Sequence, residues 1–405
     1  MKFLRDAMDD LAAHFEKGGK LEKLYPLWEA GDTFLFTPGE VTRTGSHVRD
    51  GLDYKRMMIT VVIGLLPLFL MAMYNTGLQA SLAVEAGAHP LLNWQNWVFM
   101  RLGGSYDSAS PLMCIFFGAL YFVPVYAVTM ISGIAIEVVF CIIRGHEVSE
   151  GFFVTGALIP LTVPPTIPLW QVSLATVVGL VFAKEVFGGT GMNFLNPALV
   201  VRAFLFFAYP ADISGEAPWI AANFLGVDGF TGATWLARAA STPGVLEGLS
   251  WWDAFVGFIP GSMGETSALG CIIGAGLIIL TGVGSWRTIF GTAIGTVLMA
   301  SFLNWAGSDT NPMFTVPWYW HMVLGGWALG TVYMCTDPVS SSYTDVGRWI
   351  YGIGIGVLCV LIRCVNPAYP EGMMLAILFM NMFAPLIDHY VIRRNVARRL
   401  ARVGT

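Results

Sequence analysis

The seven-residue stretch Asp228-Gly229-Phe230-Thr231-Gly232-Ala233-Thr234 stands apart in a chain that is 55% hydrophobic. It sets two hydroxyls and a carboxylate among small residues, a mixture that packs no core. The question it raises is what the hydroxyl of Thr234 is for. Four charges raise a second question, because they lie in apolar segments: Glu137, Arg202, Asp337 and Asp388. A charge at a helix centre costs about 2.5–3.5 kcal/mol on insertion scales, so such residues point to the handling of an ion or a polar substrate. Each also has a plainer reading. Glu137 and Arg202 can pair with each other. Asp337 can cap N–H groups freed at its proline turn. Asp388 can be solvated at a membrane interface.

The segments that carry these residues are those of an integral membrane protein. Only 12% of the 405 residues are charged, about half the share in soluble domains, and the mean hydropathy is +0.64. Ten apolar segments fall at 57–76, 111–143, 152–166, 168–187, 193–209, 265–284, 288–306, 317–336, 349–364 and 371–390. A full span needs about 20 residues. The second is long enough to tilt or kink, and the third is short and ends at Pro164-Pro165. The basic residues before the first span and in the tail place both termini on the cytoplasmic side. The mixed charge at the start, with no apolar run, excludes a cleaved signal peptide.

Ten crossings put 210–264 outside, with five spans on each side of it. An odd number per half inverts the second half relative to the first, the plan of transporter-like cores with broken helices at matching places. Short echoes support it: Thr162-Val163-Pro164-Pro165-Thr166 against Thr336-Asp337-Pro338-Val339-Ser340, and Asn196-Pro197 against Asn366-Pro367. The expected fold is thus an all-α polytopic membrane protein, about ten transmembrane helices in two inverted five-helix repeats. Its regions are a cytoplasmic arm 1–56 with a short amphipathic helix at 2–17, a first repeat 57–209, an outer loop 210–264, a second repeat 265–390 and a basic cytoplasmic tail 391–405.

Other chemistries find little support. The six cysteines are scattered through apolar segments without metal-ligand spacing and read as packing residues. The glycine runs at 270–276 and 351–356 sit inside spans and read as helix-packing surfaces, not nucleotide loops. No dinucleotide or Walker pattern is present, so no NADH site is expected here. Tryptophans flanking the spans suit an interfacial belt. The partner of first resort is the lipid bilayer, and nothing suggests nucleic acid.

The motif and its setting carry a resemblance. Asp228 to Thr234 resembles the flavinylation pattern Asp-x-x-Ser/Thr-Gly-Ala-Thr. The blocks at 156–171 and 187–206, and the polar N-terminal extension, resemble those of the B-type membrane subunits of bacterial sodium-translocating NADH:quinone oxidoreductases. The D-type membrane subunits of Rnf-type ferredoxin:NAD oxidoreductases are similar without the long extension. The resemblance implies FMN joined through its phosphate to Thr234 by a flavin transferase, in a phosphoester that needs the side-chain hydroxyl and slim neighbours. It also implies a non-covalent riboflavin, electron transfer to ubiquinone and sodium translocation in a bacterial inner membrane. The partners implied are the other subunits of a complex, including a flavoprotein electron donor. Glu137, Asp337 and Asp388 resemble the family's sodium-linked acids, and Gly133 with Glu137 resembles its quinone region. Arg202 suits a counter-charge to a flavin or its phosphate. Two readings compete: a non-redox channel or transporter on the same core, and a membrane anchor for a partner oxidoreductase.

Overall fold

The computed structural model describes residues 11–12, 14–15, 18–25, 28, 54–145, 151–224, 231–366, 369 and 371–403. The helix expected over 2–17 lies mostly outside these residues, as do Asp228, Gly229 and Phe230 of the motif.

The apolar segments become helices. They are α1 (Tyr54–Glu85), α2 (Trp94–Arg101), α3 (Pro111–Arg144), α4 (Gly151–Leu161), α5 (Leu169–Ala183) and α6 (Pro197–Ala208). Within the central segment 210–264 lies α7 (Trp235–Ser241), and after it come α8 (Ala268–Leu280), α9 (Trp286–Ala306), α10 (Trp318–Val323), α11 (Asp345–Val365) and α12 (Met373–Val403). Among the described residues, six segments are long and apolar enough to cross a membrane: most of α1 and of α12, all of α3, α9 and α11, and Leu169–Phe187. α4, α6 and α8 are apolar but shorter. The segment expected as a span at 317–336 is not one helix. It breaks after α10 and resumes as Trp327–Leu329 and a π-helical turn, Gly330–Met334. Gly325, with φ +63°, makes that break, a conformation that costs a residue with Cβ.

The breaks are legible in backbone chemistry. α4 stops because Pro164 and Pro165 have no N–H to continue it. The carbonyls of Leu161 and Val163 are left over, and Gly264 and Met263 N–H groups bond them at 2.8 and 3.1 Å. The loop ahead of α8 therefore plugs the end of α4. At the second break, Arg363 donates to the carbonyls of His321 (2.6 Å), Leu324 (2.9 Å) and Glu371 (2.8 Å). Irregular backbone at membrane depth is tolerated only when satisfied in this way.

Glycines set the closest helix contacts. Gly77 and Gly118 lie against the backbones of Cys114 and Met73 where α1 meets α3. Gly291 and Gly295 of α9 meet Gly352, Gly356 and the backbone around them on α11. Within the two runs read as packing surfaces, Gly352 and Gly356 do this, and Gly270 and Gly274 pack on Leu68 and Tyr333. Gly276 has open space. A Cβ at Gly356 would overlap the backbone of Thr292 and Thr296. Gly356→Val is therefore expected to lower stability by about 1–3 kcal/mol or more. A lowered midpoint in detergent melts would show it, with Gly276→Val as the near-neutral control. All six cysteines are free and buried.

Two of the connections pair locally. His89–Pro90 and Ala222–Asn223 form a two-residue antiparallel ladder, His89 opposite Asn223 and Pro90 opposite Ala222. The ladder ties the α1–α2 connection to the loop that leads into the motif.

Candidate functional site

Thr234 precedes α7 and is its N-cap. Its Oγ1 accepts the N–H of Ala237 at 3.3 Å. Thr231 repeats the device one step earlier, accepting from Ala233 N–H at 3.2 Å. Gly232 sits against the Glu216 carbonyl and the Phe224 ring, where a Cβ would overlap both. The small residues of the motif thus fit a tight turn. Arg238 of α7 lies over the Trp235 ring at 4.1 Å. Thr234 is half-buried and lines a small cavity with Pro260, Glu265, Thr266, Gly325 and Glu371.

Behind that cavity is a buried charge cluster. Arg202, 1% exposed on α6, donates from Nη2 to Glu371 Oε2 at 2.9 Å. Its Nε and Nη1 have no hydrogen-bond partner among the described residues, nor does Glu265 Oε1. Arg202 is not in the cavity wall; it reaches the Thr234 site through Glu371. The pairing of Arg202 with Glu137 allowed by sequence is absent. Glu137 pairs with Lys184, and Arg202 with Glu371.

A second cavity opens at the other end of the bundle. Met57, Lys184, Thr190, Asn193, Asn196 and Asp337 are among its walls. Asn196 also starts α6, its Oδ1 accepting from Ala198 N–H at 3.0 Å ahead of Pro197. Asp337 takes the Val339 N–H at 3.1 Å and the Ser340 hydroxyl at 2.6 Å. It caps its proline turn, and its carboxylate still has lone pairs to offer. Glu137, 2% exposed on α3, stands behind Lys184. Next to that pair, Arg144 meets Glu185 at 3.2 Å.

Asp388 is not a solvated interfacial acid. It is 7% exposed. It accepts from Ser342 Oγ (2.7 Å), Tyr343 N–H (2.7 Å), Thr344 N–H (3.0 Å) and Thr344 Oγ1 (2.6 Å). Asp337 and Asp388 therefore fix the two ends of one loop, 337–344. Gly133 is in neither cavity wall; it packs on the Phe152 ring between α3 and α4.

The two cavities share elements. Thr266, just before α8, lines the first, and Ile278, near its end, lines the second. At 1.5 Å per residue these points are about 15–18 Å apart. Gly325 and Tyr333 bracket the same gap along the broken segment. Reasoning from the sequence missed Lys184, Glu265, Glu371, Asn193, Asn196 and Arg363 as site residues. An Asn-Pro at a helix start was the available signal for Asn196.

The resemblance carried by the motif holds over the whole chain. The chain is 55% identical to the B-type subunit of the Na(+)-translocating NADH-quinone reductase of Pseudomonas aeruginosa (strain LESB58) over 406 aligned positions, 99% of this chain and all of that protein. It is 53% identical to the corresponding protein of Chromohalobacter salexigens, covering 98% of this chain and 96% of the relative. It is 54% identical to that of Azotobacter vinelandii, covering 98% and 99%. The family described as NQR2, RnfD, RnfE matches residues 41–397. With that match and these identities, the chain belongs to the NQR2, RnfD, RnfE family.

Proposed function

We infer that this chain is the B-type membrane subunit of a sodium-pumping NADH:ubiquinone oxidoreductase, with one flavin in each cavity. FMN is joined to Thr234 in the outer cavity, and riboflavin sits without a covalent bond in the inner one. The observation that carries this reading is the pairing itself: the motif threonine faces one cavity, which Glu265, Thr266 and Glu371 also line, and a second opens at the far end of the same short helices.

The chain's own atoms suit such groups. At the outer site, Thr234 supplies the ester oxygen. Arg202, held by Glu371, keeps two buried donors in reserve and balances added negative charge. At the inner site, Asn193, Asn196 and Thr190 offer donors and acceptors to a ring edge, while Met57, Met58 and Ile278 offer apolar contact to its faces. Bound flavins supply the one- and two-electron steps that no side chain here performs. With both groups bound, the outer cavity would take electrons from a flavoprotein partner and the inner cavity would pass them to ubiquinone, with α8 spanning the gap between them. Gly133 and Glu137 lie at the quinone side. A flavin transferase matures Thr234.

Sodium is handled by the acids at the inner end. Asp337, at the helix break, is the first contact, with oxygen ligands as hard cations prefer. Glu137 is the second. Asp388, whose oxygens already take four donors, acts by fixing the loop that carries Asp337. Moving one such ion against the membrane potential costs about 2.3 kcal/mol per 100 mV, so access has to follow the redox state.

The topology is that of two inverted five-helix repeats in a bacterial inner membrane, both termini cytoplasmic. Three observations support it. Each half has one broken element ending in a proline turn, at Pro164-Pro165 and at Pro338. α5 packs on α3 and α6 as α11 packs on α9 and α12. The ladder between the α1–α2 connection and the central loop keeps both at one end.

A bulky residue in the inner cavity tests the assignment. Thr155→Trp projects into that wall. Acid extraction of the purified complex is expected to yield about one riboflavin per wild-type complex and none from the variant, while the covalent flavin stays. Full riboflavin in the variant would remove it from this cavity.

A further inference from the structure

The wall of the Thr234 cavity carries polar atoms that the fold leaves unused. Glu265 and Ser262, 3% and 1% exposed, both line the cavity beside Thr234. Among the described residues, Glu265 Oε1 and Ser262 Oγ have no hydrogen-bond partner. The loop that presents them is tied to two helices. The Met263 and Gly264 N–H groups are spent on the end of α4. Asn75 of α1 donates from Nδ2 to the Ile259 carbonyl at 2.9 Å and to Thr266 Oγ1 at 3.4 Å. Gln79, one turn further along α1, donates to the Asn75 side-chain oxygen at 3.2 Å. A buried polar group without a partner is costly. A braced loop that keeps two such oxygens open toward a cavity is built for a ligand.

The charges around the cavity choose the kind of ligand. Glu265 and Glu371 face it. Arg202 pairs with Glu371, and Arg363 Nη2 stands behind the cavity-lining Gly325, 3.1 Å from where a Cβ would lie. Two carboxylates and two guanidiniums balance, so the enclosure suits a neutral group. That group also has to be polar, since an apolar one leaves both oxygens unpaired. A hydroxyl donates and accepts, and so can meet either atom. We propose that Ser262 and Glu265 hold the hydroxyls of the polyol chain that joins phosphate to ring in the group esterified to Thr234. The proposal rests on the reading that this group is FMN. The chain begins at the phosphate, so its hydroxyls are the first polar groups beyond the ester. A small enclosure also suits a chain better than a fused ring. Glu265 takes a hydroxyl proton on its free oxygen, and Ser262 pairs with a neighbouring hydroxyl. Together they fix the direction in which the chain leaves the ester, and no covalent bond forms or breaks.

The test compares the whole complex made with and without the flavin transferase. Gel fluorescence of the denatured chain scores attachment, and the thermal midpoint of the solubilised complex is the readout. The change seen in Thr234→Ala, which reports any other acceptor of the transferase, is subtracted. In the wild type, attachment is expected to raise the midpoint, because the chain satisfies oxygens otherwise left open. Ser262→Ala and Glu265→Ala are expected to lose most of that rise while keeping the fluorescent band. Glu265→Gln, which still offers an oxygen to a hydroxyl, keeps the rise. A purely structural role would lower both samples alike and leave the rise untouched. An unchanged rise in both alanine variants, or no rise in the wild type, would overturn the proposal and leave the two oxygens to water. A wild-type chain with no fluorescent band would overturn the FMN reading itself, and the proposal with it.

Discussion

Thr234→Ala, matured beside a flavin transferase, is expected to give a dark band on a denaturing gel where the wild-type chain fluoresces. The linkage inferred here is a phosphoester through the threonine oxygen. It survives denaturation, and alanine has no oxygen to form it, so the expected loss is complete. Thr234→Ser keeps the hydroxyl and keeps the band. The substitution also removes the N-cap bond to Ala237, which costs about 0.5–2 kcal/mol. That penalty falls on a seven-residue helix at the edge of the loop, not on the bundle. The alanine variant therefore still assembles and still holds its extractable riboflavin. Electron transfer to ubiquinone falls to background, because the outer cavity has lost its redox group while everything inward is intact. A fluorescent alanine variant would move the attachment to another residue and end the role assigned to Thr234.

Glu371→Gln is expected to give the largest loss of stability. Arg202 is buried, and Glu371 supplies its single bond among the described residues. Gln keeps the shape and removes the charge that pairs directly with the buried guanidinium. Breaking such a pair from one side costs about 3–5 kcal/mol. The readout is the thermal midpoint of the detergent-solubilised complex, compared with that of the double variant Glu371→Met, Arg202→Met. Removing both charges at once recovers most of the loss, since a buried pair is worth little against apolar replacements. An unchanged midpoint in Glu371→Gln would show that Arg202 is compensated from elsewhere.

The apolar segments, the glycine packing surface of α11 and the break at Pro164-Pro165 were legible in the sequence, because each depends on local composition or on a missing N–H. The motif was legible for the same reason. The partners of the buried charges were not. Glu371 lies 169 residues from Arg202, and a contact of that range leaves no periodicity in either segment. Lys184 lies at the end of an apolar run, where lysines usually snorkel to water; here it turns inward to Glu137 instead. Asp388 looked interfacial because it lies near the inner end of the apolar stretch of α12. Only the fold brings Ser342, Tyr343 and Thr344 over it. The break in 317–336 was hidden because its residues are apolar enough to read as one span. Gly325-Gly326 was the signal, and Arg363, which satisfies the break, comes from α11.

The central claim is that electron flow through Thr234-bound flavin drives sodium across the membrane. Sodium uptake into vesicles containing the reconstituted complex, started by NADH with ubiquinone as acceptor, tests it most directly when wild type is run beside Thr234→Ala. The account predicts uptake that tracks quinone reduction in the wild type, and loss of both in the variant. Quinone reduction without sodium uptake in sealed wild-type vesicles, or sodium uptake that persists in the alanine variant, would contradict it.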